Sequence, residues 1–589
     1  MRRVPRRLAL FVLPLLLLTP LARAAVTLTV DGVSEPLQSA VIAGVELSQY
    51  GQREVSDAQI RRLYDRAPAQ AKTALQPYGY YDATVDGTLK QVGKDWHVTL
   101  HVKPGQPIKV TAVQLRLDRD AMAIAAIASA RQDIEQMKGH IFNDGSYEAA
   151  RDVLSAQLTA NGFLGAKLIT HRVDVNRGQH SAVIKLAWQA GPRYRFGKVI
   201  FRGSQFRPGF LDRYVPFKSG EYFAQNDLLD LQQALNGADY FSVVNVIPDV
   251  KDANHGSVDV TVQLAPAKRT IYTGGPFIGT DTGVGLRAGI ERRWVNRRGH
   301  KWKNELVLAQ RLKTLSTQYS IPLSGRHQRS LNFGANYRDA NTTTSQSRTL
   351  ELVGNETRLW HGWTRTLGAH ALSGTFTVGR YGNEPYNTPG IERGTSTLLF
   401  AEASLSRKHA DNYNFVRHGW SLNLAARSTA GTLLSTTRFS QITADAKWIH
   451  AFAGNNRLIL RGNAGMTWTG QFTALPPQLR FFAGGARSVR GYPFQSIGPQ
   501  NSYGRVIGGR NLLVGSSTVE HYFTPHWGIA AFVDAGNAFN GIDYRPRIGT
   551  GLGVRWVSPV GMIRVDLGTP IHDAQRHGVE LHIVIGPDL

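Results

Sequence analysis

From Arg269 onward the chain shows no helical periodicity. Segments of about 9–13 residues with alternating apolar and polar positions follow one another, separated by Gly, Asn, Asp and Pro. Residues 330–338, 396–408, 419–426, 438–452 and 457–469 are examples. Alternation sends successive side chains to opposite faces of a strand, so each segment carries one apolar face along its length. About sixteen such segments fit before Leu589, an even number as a bacterial membrane barrel requires. A soluble β-sandwich has far fewer strands and does not expose an apolar face on each. Trp294, Trp360, Trp363, Trp448, Trp468 and Trp556 lie near segment ends, where an interfacial girdle places them. The prediction for residues 268–589 is an antiparallel transmembrane β-barrel of about 16 strands.

The first residues fit that reading. Arg2, Arg3, Arg6 and Arg7 precede a short apolar core at 8–18, and Ala22-Arg23-Ala24 matches a small-residue cleavage site. The apolar run is shorter than the roughly 20 residues a spanning helix needs, and no later run reaches that length. Residues 1–24 are therefore expected to be a signal peptide, with Ala25 the first mature residue. An exported chain without a spanning helix enters a membrane through strands, and for this kind of leader the membrane is the outer one.

Composition narrows the chemistry. The chain has no cysteine, so it has no disulfide framework, thiolate metal site or cysteine nucleophile. Its formal charge of +25 is scattered along the sequence, which suits anionic lipid head groups better than nucleic acid, and no nucleic-acid recognition module is present. The 18 histidines show no HExxH or similar ligand spacing, and there is no Gly-x-Ser-x-Gly elbow. Gly283-Val284-Gly285 and Gly549-Thr550-Gly551-Leu552-Gly553 do not lie between a strand and a helix, so neither reads as a phosphate loop. Alternating glycines in a strand instead clear one face for close packing inside a barrel. No catalytic residue, cofactor or metal is expected.

Residues 25 to about 267 read as a mixed α/β array with a weak repeat: a strand, two helices and a returning pair of strands. In the first copy Ser56-Asp57-Ala58-Gln59 opens a helix with a capping box. In the second, a helix through Ala150, Val153, Leu154 and Leu158 ends at Asn161-Gly162, with Gly162 as its C-terminal cap. In the third, Asn226 is expected to cap a helix carrying Leu228, Leu231 and Leu235 on one face, closed by Gly237. The period of about 75–85 residues is longer than that of common solenoids, which points to three tandem small domains at 25–104, 105–190 and 191–267. A single irregular α/β domain is the alternative.

Two stretches near the end of the sequence answer one another. The first is Gly484-Gly485-Ala486-Arg487-Ser488-Val489-Arg490-Gly491-Tyr492, a glycine-rich loop. In the second, Phe532, Asp534 and Gly536 share one face of an alternating run whose other face is apolar. If the apolar face meets lipid, Asp534 points into the barrel and needs a cation there. Arg490 is the candidate, on a loop spanning about 481–510 that folds inward. Such a pair in a partly desolvated lumen is worth about 2–5 kcal/mol by the cost of breaking it. The alternative is a surface loop and a solvated Asp. Arg564 and Asp566 share a face of a later strand and extend the polar lining. At the expected closure, the first strand holds Gly274, Gly275 and Pro276 and the last holds Gly586 and Pro587. Proline lacks a ladder donor and glycine weakens a strand, so closure is expected at a weak seam, unless the prolines simply end the paired core.

Val489-Arg490-Gly491-Tyr492 resembles the Val-Arg-Gly-aromatic motif of the BamA/TamA outer-membrane assembly superfamily. Phe532, Asp534 and Gly536 are similar to its Phe-x-Asp-x-Gly motif, and residues 551–566 to its C-terminal strands. The strand–helix–helix–strand–strand units resemble POTRA domains, which offer sheet edges for strand addition. Three such units and the ending 585–589 look most like the TamA branch. BamA-type chains usually carry five repeats, and two-partner secretion transporters two and a plug helix. The resemblance implies α+β POTRA repeats in the periplasm ahead of a barrel in the outer membrane. It implies insertion or translocation of autotransporters and other outer-membrane β-proteins, with a TamB-like partner anchored in the inner membrane. A two-partner-type secretion pore or a passive gated channel is the alternative function. Leu589 departs from the aromatic ending common among outer-membrane proteins.

Overall fold

A computed structural model describes residues 26–51, 55–250, 256–324, 328–382, 384–385, 387–412, 415–558, 561–571, 573, 578–586 and 588–589. The expected signal peptide and Pro587 lie outside the described residues. The chain divides into two compact units: one up to Lys198 with 219–226 and 249–259, the other comprising 199–218, 227–248 and 260–589.

The first repeat is β1 (Val26–Asp31), α1 (Leu37–Gly44), α2 (Asp57–Leu75), β2 (Thr84–Val92) and β3 (Asp95–Lys103). The second is β4 (Lys109–Arg116), α3 (Arg119–Met122), α4 (Ala125–Glu135), α5 (Asp144–Ala160), β5 (Lys167–Asn176) and β6 (Ser181–Gln189). The third is β7 (Arg195–Arg202), α6 (Gln225–Gly237), β8 (Phe241–Asp249) and β9 (Ser257–Pro266). Each has a three-stranded sheet with the last strand in the middle: β1-β3-β2, β4-β6-β5 and β7-β9-β8. The central strand alternates strictly, as in β6, where Ala182, Ile184, Leu186 and Trp188 are buried against the helices. The caps follow local chemistry. Ser56 Oγ accepts from the Gln59 N–H at 3.3 Å, and Gly162, just past α5, adopts φ +99°. Two details differ from the sequence reading. Helix α6 starts at Gln225, so Asn226 lies within its first turn rather than capping it. In the third repeat a short 3₁₀ turn at Leu211–Tyr214 takes the place of a first α-helix.

Sixteen antiparallel strands follow, paired in sequence order as a nearly closed barrel. They are β10 (Thr270–Gly279), β11 (Gly283–Arg292), β12 (Lys301–Ala309), β13 (Leu312–Ser324), β14 (Arg329–Asn341), β15 (Ser345–Trp360), β16 (Trp363–Val378) and β17 (Glu392–Ala410). Then come β18 (His418–Thr429), β19 (Phe439–Phe452), β20 (Asn456–Thr469), β21 (Asn511–Tyr522), β22 (Trp527–Phe539), β23 (Arg547–Ser558), β24 (Gly561–Ile571) and β25 (Glu580–Gly586). β15 to β17 run 16 to 19 residues, longer than the alternation alone indicates, because pairing continues beyond a membrane span of about 9–11 residues. The outward face exposes Leu352, Leu367, Leu424, Ile442, Leu513 and Leu552, whereas Glu402, Gln441, Arg457, Glu520 and Asp534 point inward. That is the inversion lipid demands, with apolar side chains outside and polar ones inside. The turns after β15, β19 and β21 are short and lie at the same end as the entry from the third repeat, which makes that end periplasmic.

Candidate functional site

The connection between β20 and β21 is the longest in the barrel, residues 470–510. It crosses the lumen instead of leaving it. On one side Leu475 and Leu479 are buried against Leu372, Leu398, Phe400 and Phe439 of β16, β17 and β19. On the other, Val489 and Tyr492 pack with Ala483, Ile497 and Val514. Arg480 ties the loop to itself, donating to the carbonyls of Leu475 at 2.8 Å, Ile507 at 2.9 Å and Thr473 at 3.0 Å.

Between these anchors the structure brings Arg490 and Asp534 together. Asp534 Oδ2 accepts from the Arg490 backbone N–H at 2.9 Å and from Nε at 2.7 Å, and Oδ1 accepts from Nη2 at 2.8 Å. The fork is therefore bidentate, with a backbone donor added. Nη1 reaches Asp566 Oδ2 at 3.0 Å, and Nη2 also donates to Thr518 Oγ1 at 2.9 Å. The guanidinium lies 3.5 Å from the Phe532 ring centroid, so Phe532 supplies a cation–π face below the ion pair. Asp534 has no exposed surface and Arg490 keeps only 5%. At that depth an unpaired charge is strongly destabilising, so the two hold each other in place.

Glycine makes the approach possible. Gly549 stands opposite Asp534 in the β22–β23 ladder, and a Cβ there would fall 1.8 Å from the Arg490 carbonyl oxygen. Gly491 has φ +91°, and a Cβ on it would meet the Thr569 backbone at 2.7 Å. Its N–H donates to His582 Nε2 on β25 at 3.0 Å, so the loop also touches the last strand. Gly536 lies next to Val514 and makes no polar contact with the loop; a Cβ there would come within 2.6 Å of the Val514 side chain.

Arg564 and Asp566 do not pair with each other. Asp566 accepts from Arg490 and from Arg555 Nη1 at 2.6 Å, while Arg564 Nη2 reaches Asp588 Oδ1 at 2.5 Å. The charges continue: Arg555 Nε to Glu520 Oε1 at 2.6 Å, Arg457 Nη2 to Glu520 Oε2 at 2.5 Å, and Arg457 Nη1 to Asp588 Oδ2 at 2.8 Å. Asp534, Arg490, Asp566, Arg555, Glu520, Arg457, Asp588 and Arg564 thus form one series of alternating sign. The sequence reading missed Arg555, Glu520, Arg457 and Asp588. Glu520 shares the inward parity of Ser516 and Thr518, which signals its direction but not its partners.

At the ends of the sheet, β10 pairs with β11 and β25 with β24, and no ladder joins β10 to β25 among the described residues. A cavity of about 680 Å³ runs along both edges, lined by residues 273–282 with Ile583, Val584 and Ile585, and by Arg487 and Phe494 of the loop. Gly274, Gly275 and Pro276 lie inside β10, in register with Ala288, Arg287 and Leu286. Gly586 ends β25 opposite Met562. Pro276 thus sits within a paired strand and turns an edge without a donor at that position toward β25.

Sequence comparison agrees with this architecture. The Omp85 superfamily domain matches residues 295–587, the POTRA domain TamA domain 1 matches 27–104, and the POTRA family described as a surface antigen variable number repeat matches 194–267. The outer membrane protein assembly factor BamA of Nitratidesulfovibrio vulgaris is 21% identical over 551 residues, covering 89% of this chain and 68% of its own. The crystal structure of BamA from Haemophilus ducreyi lacking POTRA domains 1–3 superposes with a TM-score of 0.63 at 17% identity, over 80% of this chain and 98% of that one. CdiB from Acinetobacter baumannii gives a TM-score of 0.47 at 14% identity, over 90% of this chain and 98% of its own. Three POTRA-like repeats followed by a sixteen-stranded barrel define an outer-membrane protein whose repeats stand in the periplasm. The chain belongs to the BamA/TamA superfamily.

Proposed function

We propose that the protein is an outer-membrane assembly factor that inserts or translocates autotransporters and other β-barrel proteins through the gap between β10 and β25, together with an inner-membrane-anchored partner of the TamB type. The observation that carries the reading is the absence of a ladder between the two sheet ends among the described residues, with a cavity of about 680 Å³ lined by both. An unpaired strand edge templates another strand. Glycine and proline in β10 weaken any pairing that would close the gap. Exchange of ladder hydrogen bonds and burial of apolar faces in lipid supply the driving force, so no nucleotide or metal is needed. The sequence relative named for outer membrane protein assembly supports the same role.

A disulfide between Thr273→Cys and Ile585→Cys tests it in this cysteine-free chain, since both positions line the gap. Oxidation is expected to stop insertion of a client β-protein into vesicles carrying the locked barrel, and reduction to restore it. Equal insertion by locked and reduced protein would remove the lateral route and move the pore reading ahead.

A further inference from the structure

His418 opens β18 and His450 stands two residues before the end of β19, and the two face each other directly in the β18–β19 ladder. Both share the outward parity of Leu424 and Ile442 and are exposed at the periplasmic rim of the barrel. Their Nδ1 atoms are 3.3 Å apart. That separation is long for a hydrogen bond, but a tetrahedron around a metal with bonds of about 2.05 Å has an edge of roughly 3.35 Å. Ring orientation points the same way. A head-on N–H···N bond of that length would put the ring centroids about 5.6 Å apart, and two lone pairs meeting at one tetrahedral metal would put them about 5.2 Å apart. The centroids lie 4.9 Å apart with the planes at 68°, nearer the second arrangement.

Both rings are held in place by their surroundings. Trp448 stacks on His450 with centroids 5.3 Å apart and planes at 4°. Asp411 fixes the start of β18, its Oδ2 accepting from the His418 N–H at 2.9 Å and its Oδ1 from the Arg417 N–H at 3.0 Å. We propose that His418 and His450 bind one divalent cation of the zinc class through their Nδ1 atoms, clipping β18 to β19 at the periplasmic rim. Imidazole suits zinc, nickel and copper, whereas magnesium and calcium take oxygen ligands. Square-planar copper or nickel needs neighbouring nitrogens about 2.9 Å apart, so the pair selects a tetrahedral ion. No third His, Asp or Glu completes a cluster among the described residues, which leaves two positions of the tetrahedron to water. The two histidines are 32 positions apart, a distance at which no ligand spacing shows in the sequence, and strand register alone brings them together. The site lies on the outer rim and does not depend on the lateral-gap reading.

The test uses the full chain in detergent micelles, without a histidine tag, titrated with Co²⁺ as a spectroscopic stand-in for Zn²⁺. The parent is expected to bind one Co²⁺ per chain with the intense visible bands of a tetrahedral ion, and Zn²⁺ to displace it. His418→Asn and His450→Asn are each expected to weaken binding by at least about tenfold, since even partners beyond the ligands are worth that much. His526→Asn, on the turn before β22, is expected to change nothing. Both ligand positions are exposed, and heat-modifiable migration on a gel verifies that each variant is a folded barrel. Absence of a tetrahedral band in the parent would show that the rings share a hydrogen bond only. A band that survives both substitutions would place the ion elsewhere, and either result overturns the proposal.

Discussion

At Asp534 one carboxylate satisfies a backbone N–H, two guanidinium nitrogens and the Ser516 hydroxyl, whose Oγ donates at 2.5 Å. Asp534→Asn keeps the shape but removes the charge and turns one acceptor into a donor facing Arg490. Asp566 still neutralises part of the guanidinium, so the expected loss is about 3 kcal/mol, the lower end for breaking a buried pair. A urea unfolding midpoint followed by tryptophan fluorescence measures it. A change under about 0.5 kcal/mol would mean that water reaches the pair. Arg490→Lys is expected to be nearly as damaging, since one ammonium cannot hold the fork on Asp534 and reach Asp566 and Thr518 together.

At the scale of elements, β23 and β24 meet the loop through glycine: Gly549 faces the Arg490 carbonyl and Gly568 the Gly491 N–H. The alternating glycines of 549–553 were legible as a cleared face, and Gly549 is where the Arg490 carbonyl lies. Gly549→Val is expected to leave the barrel folded while pushing the loop off the wall. Trypsin should then cut after Arg487 or Arg490 in intact membranes, where the parent loop resists. Continued resistance would show that the loop does not depend on this approach. Strand parity was equally legible: Phe532, Asp534 and Gly536 face one way because the β period is two. The long-range partners were not. Arg457 and Glu520 are 63 positions apart, and Arg457 and Asp588 are 131 apart. Which inward residues share a level depends on the stagger of sixteen strands, and a one-residue slip would reverse every face. The 3₁₀ turn at 211–214 was hidden for another reason. Leu211 and Tyr214 bury apolar surface at the spacing of a helix, which a single short turn also satisfies.

For the whole molecule, the loop and the seam make different demands on the barrel. A passive channel needs a lumen that clears when one tether fails. Here the lumen segment is fixed at several independent places: Leu475 and Leu479 against β16, β17 and β19, the Arg480 carbonyl contacts, and Thr343 Oγ1 donating to the Phe494 carbonyl at 2.8 Å. Arg490→Ala removes one attachment from this set and leaves the others. Single-channel conductance in planar bilayers is therefore expected to stay close to that of the parent, while insertion of a client β-protein falls, because the loop that touches β25 at His582 loses its tethers to Asp534 on β22 and Asp566 on β24. A jump to the conductance of an open sixteen-stranded pore, with client insertion unchanged, would show that the loop is a plug and the seam incidental. The contact between Gly491 and His582 makes the first outcome the expected one: it places the loop on β25 itself, where a plug would need only to fill space.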